Sequence, residues 1–223
     1  MSDAALKLNA VREAMARAED AAGRAVGSVQ LVAVSKTYDV DAIRPFLTAG
    51  QRVFGENRVQ EAKAKWPELK AAFPDVQLHL IGPLQTNKVR DAVVLFDVIE
   101  TIDRPKLARA VADEIGRSGR APRCLIQVNI GDEAQKAGVA PDQAPALLRL
   151  CRAEFSLPIA GLMCIPPADL PPEPYFRQLA ALAADLGLAE ISMGMSGDYP
   201  QAIACGATHV RVGSALFGQR QYH

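Results

Sequence analysis

Hydrophobic residues fall in eight short clusters along the chain, and these clusters predict β-strands. Each contains Val or Ile, and a more helix-like stretch follows it. The clusters occupy residues 29–36, 51–56, 76–82, 97–102, 123–130, 159–165, 190–196 and 209–215. Stretches between them, such as 39–50, 56–73, 104–119 and 174–188, contain few β-branched residues and often end at glycine, as helices do.

The first two dozen residues predict a helix that precedes the first strand. Leu8, Val11 and Met15 recur at helical spacing, and both Ser2 and Asp3 are suitable N-caps. We therefore predict an N-terminal helix over about residues 3–23.

Strand and helix alternate eight times, which favours a closed barrel. The chain of 223 residues is slightly shorter than the roughly 250 residues usual for a (β/α)₈ TIM-type barrel. We predict this α/β fold as a single domain over residues 1–223. The alternative is an open, doubly wound sheet, but SKTYDVD follows the first strand where a dinucleotide-binding fold carries G-x-G-x-x-G.

Composition narrows the classes of function. Lys plus Arg and Asp plus Glu each number 25, so no basic surplus is present to bind nucleic acid or an anionic membrane. The N-terminal segment mixes charges and no apolar run approaches 18 residues, so we expect a cytoplasmic protein. The four cysteines form no C-x-x-C pair and the three histidines lack helical i, i+4 spacing, so we expect reduced thiols and no metal site.

Lys36 is the first candidate for chemistry, because active sites of such barrels lie at the C-terminal ends of the strands. Val32, Val34 and Lys36 share one face of the first predicted strand, so Lys36 continues an apolar row. An apolar setting favours the neutral amine, which attacks carbonyl carbons to form a Schiff base. The alternative is a lysine that simply leaves the strand end for solvent.

Arg211 is the second candidate. Alternation along the last strand predicts that it points into the barrel, where an unpaired guanidinium is costly and a ligand or carboxylate partner is expected. An internal salt bridge, to Glu56 or Glu100, is the alternative reading.

Two pairs of small residues follow the last two predicted strands, Ser196–Gly197 and Gly213–Ser214. Small residues let backbone N–H groups approach a phosphate, and the loops after strands 7 and 8 are the usual phosphate site of this fold. The other polar or pocket-type residues at strand ends are Asn57, His79 and Met163, although His79 and Met163 also fit plain core packing. Lys136 fits a solvated loop lysine, and the proline-rich segment 166–174 fits a rigid rim loop or, alternatively, a polyproline ligand.

Seven segments, in order, resemble the pyridoxal phosphate homeostasis protein family, also called the YggS family, which is similar to the N-terminal barrel of alanine racemase. They are LVAVSKT (31–37), FGENRVQE (54–61), HLIGPLQTNK (79–88), VNIGDEAQKAGV (128–139), GLMCIPP (161–167), SMGMSGDYPQAI (192–203) and THVRVGSALFG (208–218).

The resemblance implies that Lys36 holds pyridoxal 5′-phosphate as a Schiff base and that Arg211 faces the pyridine nitrogen. It further implies two groups of cofactor-binding residues, the phosphate-holding Ser196, Gly197, Gly213 and Ser214 and the pocket-lining Asn57, His79 and Met163. Arginine cannot accept a proton from the ring, so the cofactor is a poorer electron sink here than beside an aspartate.

Alanine racemase has a second, β-rich domain that contributes a catalytic tyrosine across the dimer. The segments that carry the resemblance extend to residue 218 of 223, so we expect no such domain in this chain. We therefore expect a cofactor carrier for intracellular pyridoxal phosphate homeostasis, with no assigned catalytic residue, acting as a monomer or weak homodimer. Its expected partners are the cofactor and pyridoxal phosphate-dependent apoenzymes. The alternative functions are a racemase or lyase of low activity and an interaction protein that docks a partner through its proline-rich loop or N-terminal helix.

Overall fold

The computed structural model describes residues 2–218, which form a closed barrel of eight parallel strands. Each strand pairs with the next along the chain, and the last pairs with the first, so the predicted barrel is confirmed. The strands are β1 (Gln30–Val34), β2 (Val53–Glu56), β3 (Gln77–Leu80), β4 (Val98–Ile102), β5 (Arg123–Val128), β6 (Ile159–Cys164), β7 (Glu190–Met195) and β8 (His209–Val212).

Helices connect the strands and surround the barrel. They are α1 (Asp3–Ala21), α2 (Val40–Thr48), α3 (Val59–Ala72), α4 (Val89–Leu95), α5 (Pro105–Ser118), α6 (Ala144–Ala153), α7 (Glu173–Asp185), α8 (Tyr199–Ala204) and α9 (Ser214–Phe217), with a short 3₁₀ turn over Thr86–Lys88. Within residues 2–218, no helix combines the length and the apolar character needed to cross a membrane.

The alternation of side chains along each strand divides the core into two layers. The larger layer lies between the strands and the helices and includes Val210 and Val212 of β8. A smaller apolar cluster contains Val98, Leu125 and Met163. The face of β8 that carries Arg211 therefore points into the barrel, as the sequence predicts.

The predicted N-terminal helix is α1, which contacts α2, α8 and α9 and so covers the seam where β1 meets β8. Ser2 is its N-cap and accepts a hydrogen bond from the amide of Ala5. Beyond the end of α1, the guanidinium of Arg24 donates to the carbonyl oxygens of Ile203 and Ala207, at 2.9 and 2.7 Å.

Most strands are shorter than the hydrophobic clusters that predict them, and Lys36 lies beyond the end of its strand. The prediction that Lys36 ends the first strand is wrong, because β1 ends at Val34 and its last residue pair with β2 is Val34 with Gly55. The chain then turns at Thr37, whose φ is 71°. Lys36 therefore lies in the β1–α2 loop.

Candidate functional site

A cavity of about 510 Å³ opens at the C-terminal ends of the strands. Seven of the nine site residues predicted from the sequence line it, although they come from the C-terminal ends of four different strands, β1, β2, β7 and β8, and the residues that follow them. The lining residues are Val34, Lys36, Tyr38, Asn57, Ile81, Ile165, Met195, Ser196, Gly197, Arg211, Gly213, Ser214 and Gly218. None of these described lining residues is acidic, so the cavity combines two cationic side chains with apolar walls.

His79 and Met163 lie deeper in the barrel and are absent from this lining. His79 is 1% exposed, and its Nδ1 is 2.7 Å from a carboxylate oxygen of Glu100. Met163 is fully buried beside Val98 and Leu125. Both residues thus occupy the core positions that the sequence left open as alternatives.

The loop that carries Lys36 is held by backbone contacts on both sides of this residue. The ammonium of Lys65, on α3, donates to the carbonyl oxygens of Ser35 and Tyr38 at 2.9 and 2.8 Å. The amide of Thr37 donates to Glu61 at 2.5 Å. A threonine at positive φ is uncommon and costs on the order of 1–3 kcal/mol, so the surroundings must hold it in this conformation.

Glu56 anchors the same loop from the layer between β2 and α3. Its Oε1 accepts hydrogen bonds from the hydroxyl of Ser35 at 2.6 Å and the indole N–H of Trp66 at 3.0 Å, and Lys65 Nζ lies 2.9 Å away. Burial raises the pKa of Glu56, although the charge of Lys65 and these hydrogen bonds oppose the rise. The position of Glu56 also removes it as a partner for Arg211, which lies inside the barrel.

Arg211 enters the floor of the cavity from β8 and is 3% exposed. Its guanidinium donates to the hydroxyl of Ser192 at 2.7 Å and to the carbonyl oxygen of Cys164 at 2.8 Å. Ser192 in turn donates to Glu100 at 2.5 Å. The expected carboxylate partner is therefore Glu100, reached through a bridging hydroxyl.

Glu100 is fully buried inside the barrel, where it accepts a hydrogen bond from Ser192 of β7 and lies within hydrogen-bond distance of His79 of β3. Burial alone would raise its pKa, but hydrogen bonds from His79 and Ser192, with the charges of His79 and Arg211, lower it to about 2. The carboxylate therefore stays ionised and balances the positive charge at the floor of the cavity.

The two pairs of small residues meet at the adjacent ends of β7 and β8. The amide of Gly213 donates to the hydroxyl of Ser196 at 3.1 Å, which joins the two loops directly. An added Cβ at Gly197 would meet nothing within 4 Å, so this glycine leaves open space at the cavity. The pairing that the sequence suggested only by position is thus present in the structure.

Sequence reasoning missed several residues that organise the site, namely Tyr38, Lys65, Ser192 and the apolar wall residues Ile81, Ile165 and Met195. Tyr38 lines the cavity, stacks on Phe217 with ring centroids 4.7 Å apart and donates from its hydroxyl to Gly218 O at 3.1 Å. Ser192 was recoverable, because it alternates along β7 with Ile191 and Met193, which pack toward the helices. Lys65 carried no such signal, because it lies in a polar helix.

Other predicted features lie at the rim or away from the cavity. Lys136 is half-buried, donates to Pro166 O at 2.9 Å and pairs with Glu133, so it ties the proline-rich loop to the β5–α6 connection. The four cysteines are free thiols, as predicted, and only Cys205 is partly exposed. Burial raises the pKa of Cys151 to about 11 and that of Cys164 to about 12.

Comparison with known families places this geometry in context. The family model of the alanine racemase N-terminal domain matches residues 6–221. The chain is 45% identical over 217 residues to a pyridoxal phosphate homeostasis protein from Deinococcus radiodurans, covering 95% of this chain and 100% of the relative.

Solved structures of PipY from Synechococcus elongatus are also similar. The form without PLP gives a TM-score of 0.87 at 42% identity, covering 96% of this chain and 99% of that chain. The form with PLP bound gives a TM-score of 0.84 at 39% identity, covering 97% and 100%.

Proposed function

The chain belongs to the pyridoxal phosphate homeostasis protein family, and we propose that it binds pyridoxal 5′-phosphate on Lys36 and buffers or delivers this cofactor. The observation that carries the proposal is the cavity itself. Lys36 and Arg211 line it together, no described lining residue is acidic, and two loops of small residues meet at one side. A phosphorylated, anionic aldehyde matches this set of groups.

Each residue has a distinct part in binding. When bound, pyridoxal phosphate supplies an electrophilic aldehyde carbon, which a primary amine attacks. Lys36 supplies that amine from the β1–α2 loop. Ser196, Gly197, Gly213 and Ser214 would hold its phosphate with hydroxyl and backbone N–H groups. Asn57 lines the cavity from the β2–α3 loop.

Arg211 limits what the site does chemically. Its guanidinium only donates hydrogen bonds, so a ring nitrogen held against it would accept one and stay unprotonated. The hydrogen bonds from Arg211 to Ser192 and from Ser192 to Glu100 hold the guanidinium in this position. This arrangement weakens carbanion stabilisation and favours storage over turnover.

The test is the colour and covalent chemistry of the protein. Purified protein given pyridoxal phosphate should show a visible absorption band, and borohydride should fix the cofactor on Lys36, as found by peptide mass spectrometry. Lys36→Ala should lose both signals. The matched control is Lys88→Ala, which removes a lysine from the neighbouring rim groove and should keep both. A wild-type protein that stays colourless, or cofactor fixed elsewhere than Lys36, would refute the proposal.

A racemase or lyase of low activity is the second candidate, and Tyr38 is the observation that favours it. Its hydroxyl lines the cavity, although it donates to Gly218 O. This function predicts exchange of the α-proton of one amino acid into deuterated water, with saturation, faster than free pyridoxal phosphate achieves, and its loss in Tyr38→Phe. Exchange no faster than that of the free cofactor across a broad panel of amino acids excludes it.

Delivery of the cofactor is tested by mixing the loaded protein with pyridoxal phosphate-dependent apoenzymes. We expect apoenzyme activity to recover faster than with an equal concentration of free cofactor. Recovery limited to the rate of spontaneous release would leave buffering as the function.

A further inference from the structure

Lys65 contacts the backbone on both sides of Lys36 without lining the cavity. Its Nζ lies 2.9 Å from Ser35 O and 2.8 Å from Tyr38 O, so one ammonium bridges the residue before Lys36 and the residue two positions after it. The side chain of Lys65 is 7% exposed. It therefore reaches the loop from within the layer between α3 and the barrel.

The charges around Lys65 explain how a lysine is tolerated there. Glu56 Oε1 and Glu61 Oε1 both lie 2.9 Å from its Nζ. Glu61 also accepts the amide of Thr37, which has a φ of 71°. The ammonium, the two carboxylates and the backbone groups of Ser35, Thr37 and Tyr38 thus form a single connected network around Lys36.

We propose that Lys65 is a positioning residue, which sets the conformation of the loop 35–38 and so directs the amine of Lys36 into the cavity. This inference deepens the proposed function, because it assigns a determinant of binding to a residue that does not touch the ligand. Two features carry it: the bridge between carbonyl oxygens on both sides of Lys36, and the positive φ at Thr37, which the neighbours must hold.

The first test compares Lys65→Met with wild type in cofactor-free protein. Methionine keeps most of the length and the apolar stem and removes the charge. We expect amide hydrogen exchange at Thr37 and Tyr38 to rise about tenfold or more, because hydrogen bonds to a charged donor are lost. With added pyridoxal phosphate, the apparent affinity and the rate of borohydride-fixable attachment to Lys36 should each fall about tenfold.

A second variant separates positioning from stability. Lys65→Met leaves Glu56 buried without its cation, which destabilises the fold for a reason unrelated to Lys36. In Lys65→Met/Glu56→Gln that buried charge is removed, so unfolding stability should return toward wild type. Fast exchange at 37–38 and weak attachment should persist. If attachment recovers together with stability, the role of Lys65 is merely structural and the proposal is wrong.

Lys70 provides the matched control on the same helix. It also donates to a backbone carbonyl, Leu95 O at 3.0 Å, and pairs with Asp97 at 2.7 Å, but it lies away from the Lys36 loop. Lys70→Met should lower stability without changing exchange at 37–38 or attachment. Equal effects of Lys65→Met and Lys70→Met on the loop would overturn the proposal.

The exchange measurement needs no cofactor, so the two proposals fail separately. If wild-type protein binds no pyridoxal phosphate, the proposed function fails while exchange at 37–38 still decides whether Lys65 holds the loop. If binding occurs and Lys65→Met leaves both exchange and attachment unchanged, the positioning role alone is refuted.

Discussion

At the scale of single residues, the site depends on buried ionised groups that hold one another in place. Arg211, Ser192, Glu100 and His79 form one chain of hydrogen bonds inside the barrel. A buried ion is tolerated only with such partners, and removing one leaves the next uncompensated. The position of Arg211 at the floor of the cavity therefore depends on the ionised carboxylate of Glu100 beneath it.

Glu100 leads to a prediction about acid stability. Its folded pKa of about 2 lies below its usual value of 4.5, so its contribution is complete above about pH 4.5 and is lost as the pH falls toward 2. The shift corresponds to on the order of 3 kcal/mol. In Glu100→Gln, the unfolding free energy should be lower at pH 7 and should change less between pH 5 and 2.

Chemical denaturation across that pH range measures this effect. Glu154→Gln, which changes an exposed carboxyl at the end of α6, serves as the control and should follow the wild-type curve. Parallel curves for wild type and Glu100→Gln would show that Glu100 does not contribute to the pH dependence.

At the scale of elements, the loops after the strands are positioned by close backbone contacts. Gly82 follows β3, and a Cβ added there would lie 2.2 Å from the carbonyl oxygen of Asn57 and 2.7 Å from its Cα. The β3–α4 connection therefore packs directly against the β2–α3 loop. Any larger residue at position 82 must displace backbone that carries a cavity residue.

Gly82→Ala should consequently destabilise the protein by about 1–3 kcal/mol, the usual cost of overpacking. It should also weaken pyridoxal phosphate binding, because Asn57 moves. Gly116→Ala is the control within α5, where an added Cβ meets nothing within 4 Å and alanine should stabilise by about 0.5–1 kcal/mol. Urea midpoints of the two variants should move in opposite directions, and shifts of the same sign would contradict this account.

At the scale of the whole molecule, α1 completes the shell of helices around the barrel. It lies beside α2, α8 and α9, and α8 and α9 are short, with six and four residues. Leu8 is fully buried in this contact. The extra helix thus covers apolar surface at the junction of the first and last strands.

Leu8→Ala should destabilise the protein by about 2–5 kcal/mol, because it removes buried methyl groups and leaves a cavity. Leu6→Ala is the matched control on the same helix, because Leu6 is 53% exposed, and it should change stability by less than about 0.5 kcal/mol. Thermal unfolding separates the two. A Leu8→Ala variant as stable as Leu6→Ala would show that α1 does not seal the barrel.

The sequence alone was sufficient to predict the barrel, the N-terminal helix and seven of the residues that line the cavity. Strand and helix alternation is a local, periodic signal, and a closed parallel barrel brings all C-terminal strand ends to one face. The sequence therefore predicts that Lys36, Arg211 and the two pairs of small residues lie together at that face.

Only the tertiary structure decided which polar groups meet. Glu56 and Glu100 are both glutamates within strands, yet Glu56 faces α3 and Lys65 while Glu100 lies inside the barrel beneath Arg211. Likewise, Lys65 reaches a loop some thirty residues earlier in the chain. Such contacts depend on where each short strand stops and on the path of the loop beyond it. Hydrophobic periodicity does not encode these details, because they arise from side chains that meet across different elements.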